Sequence, residues 1–177
     1  MDKKEKSLKI FAFSDFRVQD LRKTLKFAQK MKPDLILYGG DDVERFSKAQ
    51  LDKFSKIGKH GFGGVVGNDD YKDGRSALSN RGTKVFDLHR KSIELDDFLI
   101  IGLEGGLEDG IGFILNSEEE IKKHLIESIP KNNKKKIILV SHLPPYKILD
   151  RSIRFGTDHI GSKSVRKFIE NNQPILM

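Results

Sequence analysis

The chain has 177 residues, 37% of them hydrophobic and 33% charged, which suits one soluble globular domain large enough to bury a core. No apolar run reaches the ~20 residues a membrane span needs, and the charged start Met1-Asp2-Lys3-Lys4-Glu5-Lys6 is no signal peptide, so the expected compartment is the cytoplasm and no membrane partner is expected. The absence of cysteine excludes disulfides and thiolate metal sites.

Taken in order, Leu8 to Phe13 reads as a buried strand. Leu21, Leu25, Ala28 and Met31 mark one face of a helix that ends before Lys32-Pro33. Asp34 to Tyr38 reads as a second strand, and a helix from about Glu44 to Ile57 follows, with Phe46, Ala49, Phe54 and Ile57 as its buried side. Glycines bracket a third short strand, Gly64 to Val66. This β-α-β-α-β order predicts a parallel sheet. Thr83 to Leu88, Lys91 to Leu95 and Phe98 to Gly102 read as successive antiparallel strands opening a second sheet. Ser117 with Glu120 forms a capping box for a helix carrying Ile121, Leu125 and Ile129, stopped by Pro130. Lys136 to Val140 is a further strand, and Val165, Phe168 and Ile169 mark a last helix. Periodicity alone supports a mixed α/β domain, with no internal repeat and no interdomain linker.

Four polar clusters end apolar runs: Ser14-Asp15-Phe16-Arg17, Gly39-Gly40-Asp41-Asp42, Gly67-Asn68-Asp69-Asp70 and Ser141-His142-Leu143-Pro144-Pro145. Strand ends that deliver oxygen and nitrogen donors to one rim are how an α/β sheet builds a metal site. Carboxylates, an amide and an imidazole suit a divalent ion that handles phosphate. Each residue also has a plain structural reading. Asp15, Asp41 and Asp42 could cap helices, Asn68 could serve a turn, and His142 could be a hydrogen-bonded loop histidine.

In order and position these clusters resemble the calcineurin-like metallophosphoesterases, whose signature is Asp-x-His, Gly-Asp, Gly-Asn-His-Asp/Glu, a later His and a closing Gly-His-x-His. Asp15, Gly40-Asp41, Gly67-Asn68 with Asp70, and His142 match its first four elements. The resemblance runs from Leu8 to the end of the chain, and the stretch from Ser141 through Gly161-Ser162 looks like archaeal and bacterial members. It implies two stacked mixed β-sheets flanked by helices, in a four-layer sandwich. It also implies one or two divalent ions (Mn, Fe, Zn or Mg), with Asp15 on the first metal, Asp41 bridging, and Asn68 and His142 on the second. The implied reaction is hydrolysis of a phosphomonoester or phosphodiester by metal-bound hydroxide. A phosphorylated small molecule or nucleotide is the implied partner.

Three departures alter that expectation. Arg17 stands where the family has a metal-binding His; a guanidinium does not coordinate metals, but it can bind phosphate in a two-pronged fashion. Asp69 stands where the family has the His assigned to protonating the leaving group. Carboxylic acids with a reference pKa of about 3.9 are almost wholly ionised at pH 7, so an Asp there is a poor proton donor, and it could pair with Arg17. The Gly-His-x-His is absent. The last stretch, Pro174 to Met177, reads as the start of the strand that should carry it, so the single domain spanning 1–177 is expected to be incomplete at its C-terminus. These departures keep a second reading open, a catalytically impaired member that binds a phosphorylated ligand without turnover.

Among weaker candidates, His159 could reach substrate from the loop after His142, with Arg151 and Arg154 as phosphate contacts. Glu104 could approach the rim or simply turn the chain, and His60, His89 and His124 read as surface or turn residues. The net charge of +7 invites a nucleic-acid partner. The lysines lie on helix faces and in Lys131 to Lys136 without interleaved aromatics, so nucleic acid is not favoured. An unpaired sheet edge near Met177 offers a route to oligomers.

Overall fold

A computed structural model describes residues 7–15, 18–71, 74–79, 84–151 and 159–177. Four parallel strands form the first sheet in the order β1 (Ile10–Phe13), β2 (Leu35–Tyr38), β3 (Phe62–Gly64) and β4 (Val85–Asp87). Helices α1 (Leu21–Met31) and α2 (Lys48–Ile57) separate the first three strands, and the short α3 (Gly74–Leu78) precedes the fourth. The second sheet has the order β5 (Ile93–Leu95), β6 (Phe98–Leu103), β9 (Lys136–Ser141), with β5 antiparallel and β9 parallel to β6. A two-stranded ribbon, β7 (Gly106–Leu107) with β8 (Leu115–Asn116), lies between, followed by α4 (Glu118–Glu127); α5 (Lys163–Asn172) comes last.

Alternation along the central strands generates the layers. On β2, Ile36 and Tyr38 face α1 and α2 in a cluster with Ala28, Phe54 and Phe62, while Leu35 and Leu37 face the other way. On β6 and β9, Ile100, Ile138 and Val140 meet Leu35, Leu37 and Val65 between the sheets. Leu99, Ile101, Ile137 and Leu139 pack against Ile121, Leu125, Val165 and Phe168 of α4 and α5. The result is helix, sheet, sheet, helix. Strands covered on both faces need apolar residues at successive positions, which is why β2 and β6 are buried throughout.

The helix starts are chemically marked. Ser47 and Gln50 form a capping box at α2, and Ser117 and Glu120 form one at α4. At α5 the carboxylate of Glu118 accepts the Ser162 hydroxyl (2.7 Å) and the amides of Lys163 (2.7 Å) and Ser164 (2.8 Å), so the first turn of one helix closes the open end of another. Burial opposes ionisation there, but the bonds from Ser162, Ser164 and Lys163 together hold the Glu118 carboxyl below the usual range.

Two sequence expectations are corrected. The segment Val85–Asp87 joins the first sheet in parallel with β3 rather than opening the second, so only β5 and β6 form the antiparallel pair; Thr83 lies outside the described residues. The helix expected from Glu44 is a single 3-10 turn over Val43–Arg45, and α2 begins anew after Ser47. That restart shifts the helical phase, so Leu51 and Phe54 are buried while Ala49 is exposed, and Phe46 is buried from the connection between the two. Beyond α5, Ile175 donates to Ile137 (2.9 Å) and Leu139 to Leu176 (3.0 Å), laying the last residues along β9 in the parallel sense.

Candidate metal centre

The ends of β1, β2, β3 and β9 come to one rim. Gly39 N donates to Phe13 O (2.9 Å), Asp15 N to Gly40 O (3.1 Å) and Val65 N to Tyr38 O (3.1 Å), so the first three loops are fastened side by side. Gly40 (φ 101°), Asp41 (φ 62°) and Asp42 (φ 59°) are successively left-handed, a sharp turn that folds Asp41 back over the strand ends. The Tyr38 hydroxyl donates to the Asp41 carbonyl and braces that turn. A Cβ at Gly40 would lie 2.7 Å from His142 Nδ1, and one at Gly67 would lie 1.9 Å from Asp41 Oδ1. The motif glycines therefore leave room for the functional side chains.

His142 enters from β9. Its Nδ1 is 2.8 Å from the Gly39 carbonyl, which can only accept, so Nδ1 carries the hydrogen. Nε2 then faces Asn68 Oδ1 at 2.9 Å and Asp41 Oδ1 at 3.5 Å. The Asn68 amide is oriented independently, because its Nδ2 donates to Asp69 Oδ1 and to the Ile111 carbonyl, both at 2.8 Å. Asp41 Oδ1 is buried and has no hydrogen-bond partner. Three electron-pair donors thus converge, and a proton on Nε2 or a cation among them is what satisfies the arrangement. Burial pushes the Asp41 carboxyl up, His142 opposes this, and the Asp69 and Asp15 carboxylates add to the rise. An anion raised by neighbouring anions is a seat for positive charge.

One amide and one imidazole with a carboxylate form a hard-to-borderline donor set that fits a divalent ion of the first transition row or Mg²⁺. Among the described residues no group of three or more His, Cys, Asp or Glu side chains could hold a metal. The convergence depends on Asn68. Of the four expected ligands, Asp41, Asn68 and His142 meet. Asp15 lies near enough to act on Asp41, and its Oδ2 accepts the Ser14 hydroxyl at 2.6 Å. Arg17, with its suggested pairing to Asp69, lies outside the described residues, as does Arg154; Asp69 is engaged by Asn68.

Asp70, matched to the motif by sequence, is fully buried and joins two loops: Oδ1 accepts Val43 N and Oδ2 accepts Gly67 N, both at 2.7 Å. Burial first, then a hydrogen bond with Glu44, raises its carboxyl to about 7. It shapes the turn that presents Asn68. His159 donates from Nδ1 to the buried Asp150 Oδ1 at 2.7 Å, while Asp150 Oδ2 accepts the amides of Lys147 (2.7 Å) and Gly161 (3.2 Å). Burial works to raise Asp150, but the bonds from His159, Lys147 and Gly161 together hold it below its ordinary value. Arg151 pairs with His159 in an isolated bridge at the mouth of this loop.

Other side chains depart from expectation. His89 and His124 are partly buried and stack with ring centres 3.9 Å apart, instead of lying at the surface. Glu104, 2% exposed, is a buried anion clasped by Arg75 at 3.0 and 2.5 Å and approached by His89 at 3.4 Å. Its neighbour Gly105 donates to Val66 O (2.9 Å), so this ion cluster backs the Gly67-Asn68 loop. Sequence reasoning missed it, because Arg75 and Glu104 carry no mutual signal along the chain. The same holds for Tyr71 and Phe113, exposed rings stacked 4.6 Å apart next to Asn68.

With that geometry in place, the fold is that of a metallophosphoesterase-like α/β domain. Residues 8–177 match the calcineurin-like phosphoesterase family, to which the chain belongs. That family generally uses divalent metal ions. An uncharacterised protein of Methanocaldococcus jannaschii, MJ1162, is 32% identical over 109 residues, covering 60% of this chain and 48% of that protein. The match thus spans about half the length of that curated relative. Among solved structures, TT1561 of Thermus thermophilus superposes with a TM-score of 0.70 at 17% identity, covering 96% of this chain and 80% of the other. A second solved structure gives 0.70 at 18% identity, covering 94% and 80%. At such identities these two structures speak for the fold. Among the described residues, no helix is long and apolar enough to cross a membrane.

Proposed function

We propose that this protein hydrolyses phosphoesters, with Asp41, Asn68 and His142 as the core of a divalent-cation site and Asp15 as an adjoining ligand. The observation that carries the reading is the convergence of Asp41 Oδ1, Asn68 Oδ1 and His142 Nε2, with Asp41 Oδ1 buried and without a hydrogen-bond partner. A bound divalent cation supplies Lewis acidity, lowering the pKa of a water and neutralising charge that develops on phosphoryl oxygens. The chain's own contribution is preorganisation. Gly39 fixes the His142 tautomer, Ile111 and Asp69 fix the Asn68 amide, and the left-handed turn fixes Asp41. In the reaction a water oxygen bonds to phosphorus and gives up its proton, the ester P–O bond breaks, and the leaving oxygen departs as an anion that solvent protonates afterwards.

Asp69 occupies the expected proton-donor position as a carboxylate held by Asn68, which favours esters whose leaving groups depart unprotonated. The same residue supports a second reading, phosphoester binding without turnover. Both are tested by metal analysis and by assays with 4-nitrophenyl phosphate and bis(4-nitrophenyl) phosphate in Mn²⁺. Turnover by the wild type, with affinity for Mn²⁺ and rate both falling at least about tenfold in His142→Ala, is the expected result. Mn²⁺ binding without turnover of either ester selects the second reading, and an unchanged affinity in His142→Ala refutes the site.

A further inference from the structure

An exposed apolar patch sits on the two loops that position Asn68. Tyr71 follows Asn68 by three residues, and Ile111 and Phe113 lie on the excursion between β7 and β8. That excursion is seated on Asn68 itself. Phe113 N and Ile114 N both donate to Asn68 O (2.7 and 3.3 Å), and Asn68 Nδ2 donates to Ile111 O. Gly112 (φ 138°) permits this approach, since a Cβ there would lie 2.3 Å from Asn68 O. The rings of Tyr71 and Phe113 stack with centres 4.6 Å apart and planes at 27°. Even so, they stay 55% and 59% exposed, with Ile111 at 65%. Neither ring belongs to any of the three buried clusters.

Three large apolar side chains left in water, on loops anchored to a ligand-bearing residue, need a partner that also engages the rim. We propose that Tyr71, Phe113 and Ile111 form the recognition platform for a flat ring on the phosphoester, so that the substrate is a nucleoside phosphate ester whose base stacks there. This rests on the phosphoesterase reading of the rim. Two aromatic faces select a π-system over an aliphatic chain, since every base offers a stacking face. A phosphate at Asn68 and a base on the adjoining rings would occupy one continuous surface.

The test is titration calorimetry of Mn²⁺-loaded protein with adenosine 5′-monophosphate and with ribose 5-phosphate, which share the sugar phosphate and differ by the base. The nucleotide should bind about five- to tenfold more tightly. That ratio should fall close to one in Tyr71→Ala and Phe113→Ala and persist in Phe113→Trp, which keeps a stacking face. Equal affinities in the wild type, or a ratio untouched by both alanine variants, overturn the platform. A change of oligomeric state in Phe113→Ala with the ratio intact would instead assign the patch to contact between copies, and also overturns it. Hydrolysis of methyl 4-nitrophenyl phosphate, followed in parallel, reports separately on the rim. Hydrolysis without base preference defeats the platform alone; base preference without hydrolysis defeats turnover alone.

Discussion

Gly67 is where the geometry makes its most exposed commitment. A Cβ added there would sit 1.9 Å from Asp41 Oδ1 and 2.7 Å from Asp41 Cγ and Asp41 N. Real Cβ contacts do not fall below 3.0 Å, so the Asp41 carboxylate must retreat by about 1 Å or the turn must open. Asp41 cannot retreat freely, because its carbonyl is held by Tyr38 and its turn is fastened to Asp15. Gly67→Ala should therefore cost about 1–3 kcal/mol of stability, the usual range for overpacking. Ligand distances tolerate only about 0.2 Å, so Mn²⁺ affinity should fall by about ten- to a hundredfold. Calorimetric Mn²⁺ titration and urea unfolding measure the two effects. Gly74→Ala, whose nearest contacts lie at 3.3 Å or beyond, serves as the folded control. A folded Gly67→Ala protein that binds Mn²⁺ as tightly as wild type would refute Asp41 as a ligand.

Two further outcomes follow from the ion cluster behind the site. Burial, then His124 and the nearby Arg75 and Arg90, push the His89 imidazole down to about 3, so it stays neutral when folded and titrates near 6.5 when unfolded. The unfolded state then binds the extra proton between those values, and the His89 contribution to stability falls as pH drops through that window, by about 2 kcal/mol from pH 7 to pH 5. The raised Asp70 carboxyl favours the folded state as pH falls and acts alike on wild type and variant. Urea unfolding at both pH values should therefore show wild type losing about 2 kcal/mol relative to His89→Gln, and equal changes in the two proteins would remove His89 as the cause. Arg75→Ala leaves the buried Glu104 with His89 as its remaining ion-pair partner among the described residues, and should cost about 2–3 kcal/mol, the low end for a broken buried pair because Arg75 is partly open to water. Arg75→Lys should recover part of this, and a thermal midpoint unchanged in Arg75→Ala would show that the clasp contributes nothing.

What was legible in the sequence was local. Leu35–Tyr38, the capping box at Ser117 and the face of α1 all announce themselves within a few residues, and each stands where the pattern puts it. The second capping box, Ser47 with Gln50, is equally local but lies inside an apolar pattern that reads as continuous from Glu44, so the pattern puts the start of α2 too early. Sheet membership is not local. Val85–Asp87 pairs with Phe62–Gly64 across a long connection, and its short apolar run would read the same in either sheet. In the rim, residue types pointed to Asp41, Asn68 and His142, yet the parts that orient them were invisible. Asp70 meets Val43 27 residues away, His142 meets Gly39 103 residues away, and Ile111 reaches Asn68 through a backbone carbonyl that has no residue signature.

The four layers close on themselves without the rim. The apolar faces of β2, β6 and β9 pack against helices or the opposing sheet, whereas Asp15, Asp69 and His142 stand where strand pairing stops. Exchanges at those three positions alter what the edge can grip while leaving the interior untouched. Such a scaffold lets chemistry drift under separate control from folding, so a member of this lineage can change its reaction, or lose it, and still be built.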